Sequence, residues 1–229
     1  MAGKDVRTLG DLGDLLKPQE DRCRFYKVNS LDSSTIVAVY QVRLEPSGEV
    51  YRDRSDSDKE HAELDAIKKI KKWLDERNVT GQTTISLTTM ATYSPCLECQ
   101  SAILDMLVDW EERLKLTVNY KLRIGYLYHG KPPQSDGAIR EQLADWKWNM
   151  KDRGANFTLE PIAVWDELPV PSLDTRQENP EDVIRERKLY DSKIADHVQK
   201  INAAPRQMKI DKYTEPRALR LPKSEPDLC

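Results

Sequence analysis

Residues 92–99 read Thr-Tyr-Ser-Pro-Cys-Leu-Glu-Cys, and residues 61–63 read His-Ala-Glu. Each stretch stands where a helical apolar pattern begins, and a β-branched run at 84–90 separates the two helices. Residues three apart share a helix face, so the Cys96 and Cys99 thiols can point to one place. The unpaired N–H groups and the dipole at a helix N-terminus favour thiolates, which are the form that binds metal. The pattern predicts a metal site between two helix starts.

The donor set predicts which kind of metal site this is. His61, Cys96 and Cys99 supply three ligands, whereas a structural zinc site closes with four and a catalytic one leaves the fourth position to water. Zinc lowers the pKa of that water to roughly 7, and Glu63 is placed to accept its proton. We expect one catalytic Zn²⁺ per chain, with a structural zinc site as the alternative. The residues available to complete such a structural site form no matched pair: Cys23, His129, His197 and Cys229.

Composition limits the class of protein. The 229 residues suffice for one domain with a real core. The formal net charge is −3, so nucleic-acid binding would need a local basic patch. The cysteine spacing is not that of a secreted disulfide framework, the N-terminus has no apolar run typical of a signal peptide, and no stretch is long enough to cross a bilayer. These features predict a cytoplasmic or nuclear protein with no membrane partner.

Hydrophobic periodicity predicts alternating strands and helices. A helix of about fifteen residues separates the fourth and fifth strands, and only parallel neighbours need such a crossover. The sequence therefore predicts an α/β/α fold: a five-stranded mixed sheet with strands 4 and 5 parallel and helices on both faces. The predicted strands are 35–42, 49–51, 84–90, 122–128 and 157–165. The predicted helices lie around 11–16 and 21–28, over 61–77, after 94, along the apolar stripe 139–150 and from 179 to 201.

The chain divides into a polar segment at 1–20, a single domain at 21–201 and a proline-punctuated tail at 202–229, which we expect to be flexible. Within the domain, 52–58 is predicted as an acidic loop and the lysine run 68–72 as a solvated helix face. His129 is interpreted as a solvated loop histidine. Three basic residues of the tail form a candidate basic patch: Arg217, Arg220 and Lys223.

The two motifs together resemble the zinc-deaminase pattern of His-x-Glu followed by Pro-Cys-x-x-Cys. Residues 92–96 are similar to the Ser-Trp-Ser-Pro-Cys motif of the AID/APOBEC polynucleotide cytidine deaminases, with Tyr93 at the usual Trp position. The order of strands and helices over about 21–201 is similar to that family as well. The resemblance implies an α/β/α deaminase fold, a zinc cofactor and hydrolytic deamination of cytosine to uracil in single-stranded DNA or RNA.

The resemblance also implies roles for individual residues. Glu63 would pass the proton of the water to N3 of the base and then to the leaving ammonia. The backbone of Ala62 and Ser94 would hold the edge of the base, while Tyr93 and Tyr128 pack its faces. In this family the loop after the fourth strand reads the neighbouring nucleotide, and Tyr128 fits that position. From its alternation alone, however, Tyr128 could equally be a buried sheet tyrosine.

Two other functions stay open. The first is deamination of free cytidine, dCMP or tRNA adenosine. Parallel strands 4 and 5 argue against the free-nucleoside branch, and Ser94-Pro95, where the tRNA branch usually has Glu-Pro, argues against adenosine. The second is a catalytically silent family member that keeps zinc for stability and acts as a binding or regulatory protein. Net acidity favours this second alternative, as does the 52–58 stretch, which lacks the Asn that the family commonly offers to the nucleotide.

Overall fold

A five-stranded sheet organises the computed structural model, which describes residues 10–17, 20–26, 36–57, 60–79, 81, 83–130, 133–168 and 179–206. The strands are β1 Val37–Glu45, β2 Val50–Asp56, β3 Thr84–Tyr93, β4 Thr117–Tyr126 and β5 Asn156–Pro161. The helices are α1 Gly10–Gly13, α2 Glu20–Tyr26, α3 Ala62–Asp75, α4 Leu97–Glu112, α5 Asp136–Asp152, α6 Val164–Glu167 and α7 Pro180–Ala203.

The strand order is β2-β1-β3-β4-β5. β1 pairs antiparallel with β2 and β3, whereas β3, β4 and β5 run parallel. The predicted mixed sheet with parallel strands 4 and 5 is confirmed, and α4 and α5 are the crossovers that parallel pairing requires. The carboxyl ends of β3 and β4 lie side by side, with Tyr93 opposite Tyr126. This sheet edge is where the chain turns into α4.

Two hydrophobic clusters hold helices against the sheet. In β1, Val37 and Val39 belong to one cluster and Tyr40 and Val42 to the other, because successive side chains point to opposite faces. The larger cluster packs α3, α4, α5 and α7 against the sheet. The smaller cluster includes residues of α1, α2 and α6. The N-terminal helices therefore cover sheet surface that would otherwise be exposed.

The last two predicted strands differ from the observed ones. β4 ends at Tyr126, so Tyr128 lies in the following loop and the sheet-tyrosine interpretation is wrong. β5 ends at Pro161, and the prediction of a strand to residue 165 is also wrong. Proline lacks the N–H that a ladder needs. The Ile162 N–H makes a final bond to the Ile124 carbonyl at 2.9 Å, and α6 follows.

The predicted acidic loop is largely strand β2, which is a correction to the sequence interpretation. Its carboxylates are paired with cations: Arg54 lies 2.9 Å from Asp56, and Lys69 lies 3.6 Å from Asp53. Arg54 also binds the buried Asp21 of α2 at 2.9 Å. Local ion pairs therefore offset much of the negative charge counted in this stretch.

Other predicted features have mixed outcomes. Lys69 and Lys72 of the lysine run pair with Asp65 at 2.8 Å and Glu76 at 4.0 Å, as expected for a solvated, salt-bridged helix face.

The tail beyond residue 206, including its three candidate basic residues, lies outside the described residues. None of the helices in the described part of the chain has the length and apolar character needed to span a membrane.

Gly125 lets α2 approach the sheet closely. A Cβ at this position would lie 3.1 Å from the Thr92 carbonyl oxygen and 3.2 Å from the Phe25 ring. We expect Gly125→Ala to lower the free energy of unfolding by about 1–3 kcal/mol, because the backbone or the ring must shift. Chemical denaturation measures this loss. Gly137→Ala is the control, since its Cβ would make only ordinary contacts at 3.7 Å or more; equal losses would contradict the steric explanation.

Candidate metal centre and active site

Two helix N-termini position the three candidate ligands. His61 is the N-cap residue of α3, and Cys96 is the N-cap residue of α4. Both have extended backbone conformations, and neither side chain caps its own helix. Cys99 lies in the first turn of α4 and is fully buried. The side chains of the two cap residues are therefore available to a metal.

The geometry fits one metal ion. The donor atoms of His61, Cys96 and Cys99 all lie within 4.8 Å of one another. The His61 Nδ1 atom is 3.1 Å from the Cys99 sulfur and 3.3 Å from the Cys96 sulfur. Donors bound to one tetrahedral zinc at about 2.0–2.3 Å lie about 3.5 Å apart. The cluster could therefore hold a metal with modest adjustment, and Nδ1 is the imidazole atom that faces it.

The two thiols have different electrostatic surroundings. A hydrogen bond from Cys99 and the nearby His61 lower the pKa of Cys96 to about 5, against the opposing effect of burial. The Cys96 neighbour and burial raise the pKa of Cys99. A bound cation would favour the thiolate of both, since the thiolate is the ligand form.

Glu63 is buried beside this cluster. Its Oε2 atom lies 3.5 Å from the Cys99 sulfur, and its Oε1 atom is buried without a hydrogen-bond partner among the described residues. Burial raises the pKa of Glu63, because desolvation disfavours its charged form. A buried unpaired carboxylate oxygen is costly, so its presence here points to a ligand or water that the residue serves.

The cluster has three members in the part of the chain that the structure describes. Cys23 lies in α2 within the smaller hydrophobic cluster. His129 and His197 instead approach Asp136, at 3.5 and 3.2 Å. His129 also lies 2.9 Å from the Gln134 carbonyl of its own loop, and its side chain is 41% exposed, as expected for a solvated loop histidine. Three donors would leave the fourth position of a tetrahedral zinc to water, as in a catalytic zinc site, and Glu63 would stand beside it.

Gln100 supports the α4 start, a role that sequence reasoning missed. Its side-chain amide donates to the Pro95 carbonyl at 2.8 Å, while its backbone N–H donates to the Cys96 carbonyl at 2.8 Å. Trp146 of α5 donates to the Gln100 carbonyl at 3.0 Å. The only sequence signal is a polar residue on the buried face of an apolar helix, which does not identify its partners.

Ser94 joins β3 to the loop after β4. Its N–H donates to the Tyr126 carbonyl at 2.8 Å, and its hydroxyl accepts from the Tyr128 N–H at 3.0 Å. The Ser94 N–H is therefore engaged, so a backbone contact to a base would use its carbonyl. Ala62, the first residue of α3, is buried next to Glu63, and its N–H is among those that a helix start leaves unpaired within the helix.

Tyrosine rings stand at the carboxyl ends of β3 and β4. The Tyr93 ring lies 5.4 Å from the Tyr126 ring and 6.3 Å from the Tyr128 ring, edge-on to the latter. Tyr93 and Tyr128 are half-buried, while Tyr126 is buried. The two half-buried rings predicted to contact a base thus meet each other next to Ser94.

Comparison with known proteins gives one family. Residues 45–144 match the family model described as APOBEC1. The matched segment runs from the last residue of β1 into α5, and it contains the three candidate ligands, Glu63 and Tyr128. No curated protein matches the chain. The family resemblance drawn from the two motifs is confirmed.

Proposed function

Because this chain is an APOBEC-like protein of the cytidine deaminase superfamily, we propose that it hydrolyses cytosine to uracil in single-stranded DNA or RNA with one zinc ion. The observation that carries the proposal is Glu63, buried with an unpaired Oε1 beside a cluster of one imidazole and two thiols. Imidazole and thiolate donors suit zinc, and three of them leave room for a reacting water.

Glu63 performs the proton transfers in this proposal. Zinc, when bound, lowers the pKa of a water to roughly 7. Glu63 would accept one proton as that water's oxygen bonds to C4 of cytosine, and it would pass this proton to N3. It would then accept the proton of the new C4 hydroxyl and pass it to the departing amino group as the C4–O bond becomes a carbonyl. The C4–N bond breaks and ammonia leaves. Burial raises the pKa of Glu63, which is the direction that helps a carboxyl group to donate a proton as well as to accept one.

The residues around Glu63 would bind the base. The target nucleotide must be single-stranded or flipped out for C4 to reach a buried carboxylate. The Ser94 carbonyl and the Ala62 N–H are the backbone groups proposed for the base edge. Tyr93 and Tyr128 would pack its faces, because aromatic rings stack on any base. The parallel pairing of β4 and β5 supports the polynucleotide branch of the family over the free-nucleoside branch.

A direct assay tests the proposal. Purified protein is incubated with single-stranded DNA, single-stranded RNA, free cytidine and tRNA, and uracil and inosine are measured by mass spectrometry. We expect uracil in at least one polynucleotide. Uracil from free cytidine alone, or inosine in tRNA, would move the substrate to the alternative branches. A zinc-loaded protein without activity on any of them would support the silent family member.

Tyr128→Ala should weaken polynucleotide deamination while leaving the fold intact. Stacking on a base contributes ~1–3 kcal/mol, which corresponds to a loss in kcat/KM of roughly 5- to 150-fold. Free cytidine makes fewer contacts with Tyr128, so its kcat/KM should fall less. Tyr128→Phe keeps the ring and is the matched control. Equal losses on a short strand and on free cytidine would instead place Tyr128 inside the pocket or in the fold.

A further inference from the structure

Arg187 of α7 is a buried cation at the end of β4. Its side chain is 1% exposed. Its Nη1 donates to the Phe25 carbonyl at 2.9 Å, its Nη2 donates to the Gly125 carbonyl at 3.2 Å, and it pairs with Asp191 at 2.6 Å. A buried guanidinium is tolerated only with such partners. Arg187 therefore ties α2, β4 and α7 together at one point.

The guanidinium also stacks on Tyr126. Its central carbon lies 4.4 Å from the centre of the Tyr126 ring and 5.2 Å from that of Tyr190. The Tyr126 hydroxyl donates to the Phe25 carbonyl at 2.7 Å, the same oxygen that accepts from Arg187. The ring of Tyr126 is thus held on its face by a cation and at its hydroxyl by a shared acceptor.

This fixed ring is the inner neighbour of Tyr93. The two rings lie 5.4 Å apart with an interplanar angle of 32°. On its other side Tyr93 meets Tyr128, which belongs to a loop and not to the sheet. Tyr93 is the last residue of β3, so the sheet ladder ends there. The Tyr93 ring contacts Tyr126, whose own ring packs against Tyr190 at 4.7 Å and lies under the Arg187 guanidinium.

We propose that Arg187 is a positioning residue that orients Tyr93 and, through it, the two rings proposed to stack on the base, Tyr93 and Tyr128. Arg187 does this from α7, a helix that carries none of the three candidate metal ligands. The inference rests on the proposed function, which assigns base stacking to Tyr93 and Tyr128. None of the contacts described for Arg187 reaches a metal ligand, so its loss should leave zinc content unchanged. The expected defect is therefore in substrate binding and not in metal binding.

The first experiment follows the Tyr93 ring directly, without any activity. Protein labelled with 3-fluorotyrosine is compared by ¹⁹F NMR as parent, Arg187→Gln and Arg187→Lys, and Tyr93→Phe assigns the Tyr93 signal. We expect the Tyr93 signal to shift or broaden in both Arg187 variants. The lysine variant keeps the buried charge but loses the planar stack, so it serves if the glutamine variant does not fold. An unchanged Tyr93 signal in the folded variants would overturn the proposal.

Lys147→Gln is the matched control for a merely structural role. Lys147 is also a buried cation that secures α7, donating to the carbonyls of Ile201 and Asn202 at 2.9 and 2.8 Å. Those contacts lie in the last turn of α7, whereas Arg187 lies in its first half. We expect this variant to lose stability without changing the Tyr93 signal. An equal change of that signal in Lys147→Gln would mean that any loosening of α7 moves the ring.

The second experiment measures binding in a Glu63→Gln background, where turnover is expected to be too slow to consume the probe. The probe is a short fluorescent single strand with one cytosine, as DNA and as RNA. We expect Arg187→Gln to weaken its affinity about tenfold, Arg187→Lys to weaken it less, and Lys147→Gln to leave it unchanged, with equal zinc in all. Equal weakening by Lys147→Gln would reject the proposal. If the parent binds neither strand, the proposed function fails, while the Tyr93 signal still decides the role of Arg187.

Discussion

Glu63→Gln should reduce deamination by about 10²–10⁴-fold or more while zinc content stays the same. The amide has the shape of the carboxylate but cannot accept the proton of the attacking water. Glu63 is not among the three clustered donors, so its replacement removes no metal ligand. Its buried Oε1 has no protein partner to lose, and the fold should tolerate the change. Uracil release per molecule of zinc-loaded enzyme is the measurement.

Glu98→Gln is the control for that experiment. Glu98 lies between the two cysteines in the chain and is exposed, so its replacement removes a negative charge from the same helix turn without entering the site. We expect near-parent activity. Loss of zinc in Glu63→Gln would show that Glu63 holds the metal, and full activity would show that the proton moves by another route.

Cys96→Ala should remove the metal and destabilise the domain. A metal that binds only the folded chain adds about 4 kcal/mol when its free concentration is 1,000 times Kd. For a domain of this size, that loss corresponds to a fall in Tm of about 8–16 °C. Metal analysis and thermal unfolding, each with and without chelator, measure the effect. The Tm of the parent should fall with chelator, and the Tm of Cys96→Ala should not.

Cys23→Ala separates metal loss from the loss of a buried thiol. Cys23 is buried in the smaller hydrophobic cluster and lies outside the metal cluster. Its removal should lower Tm by leaving a cavity, but the protein should keep zinc and remain sensitive to chelator. If Cys96→Ala retained stoichiometric zinc, the assigned ligand set would be wrong.

The local pattern of the chain predicted that three possible metal ligands lie close together. His61, Cys96 and Cys99 were identifiable because each stands at a helix start, and helix starts are set by residues that are neighbours in sequence. The parallel pairing of strands 4 and 5 was predictable for a similar reason, since the length of the connecting segment decides it. The assignment of Tyr128 from alternation failed, because alternation does not show where a strand ends.

The 52–58 stretch shows why counting charged residues along the sequence does not give the charge that a surface presents. The stretch looked like an acidic loop unfavourable to nucleic acid, yet 52–56 is strand and its Asp56 pairs with Arg54. Arg54 in turn reaches Asp21, 33 positions earlier. The partner of a charge is decided by which strands and helices pack together, so formal charge along the chain does not give the local field.

The sequence alone predicted that His61, Cys96 and Cys99 lie together and gave the order of the elements around them, because these depend on short-range helix geometry and crossover length. Only the tertiary structure decided that the Nδ1 atom of His61 faces the two sulfurs and that the rings of Tyr93 and Tyr128 meet. It also decided that Arg187 donates to the carbonyl of Phe25, 162 positions earlier in the chain. Contacts between segments so far apart form when helices pack on the sheet and bring buried donors to unpaired carbonyls, and no periodicity in the sequence encodes those pairings.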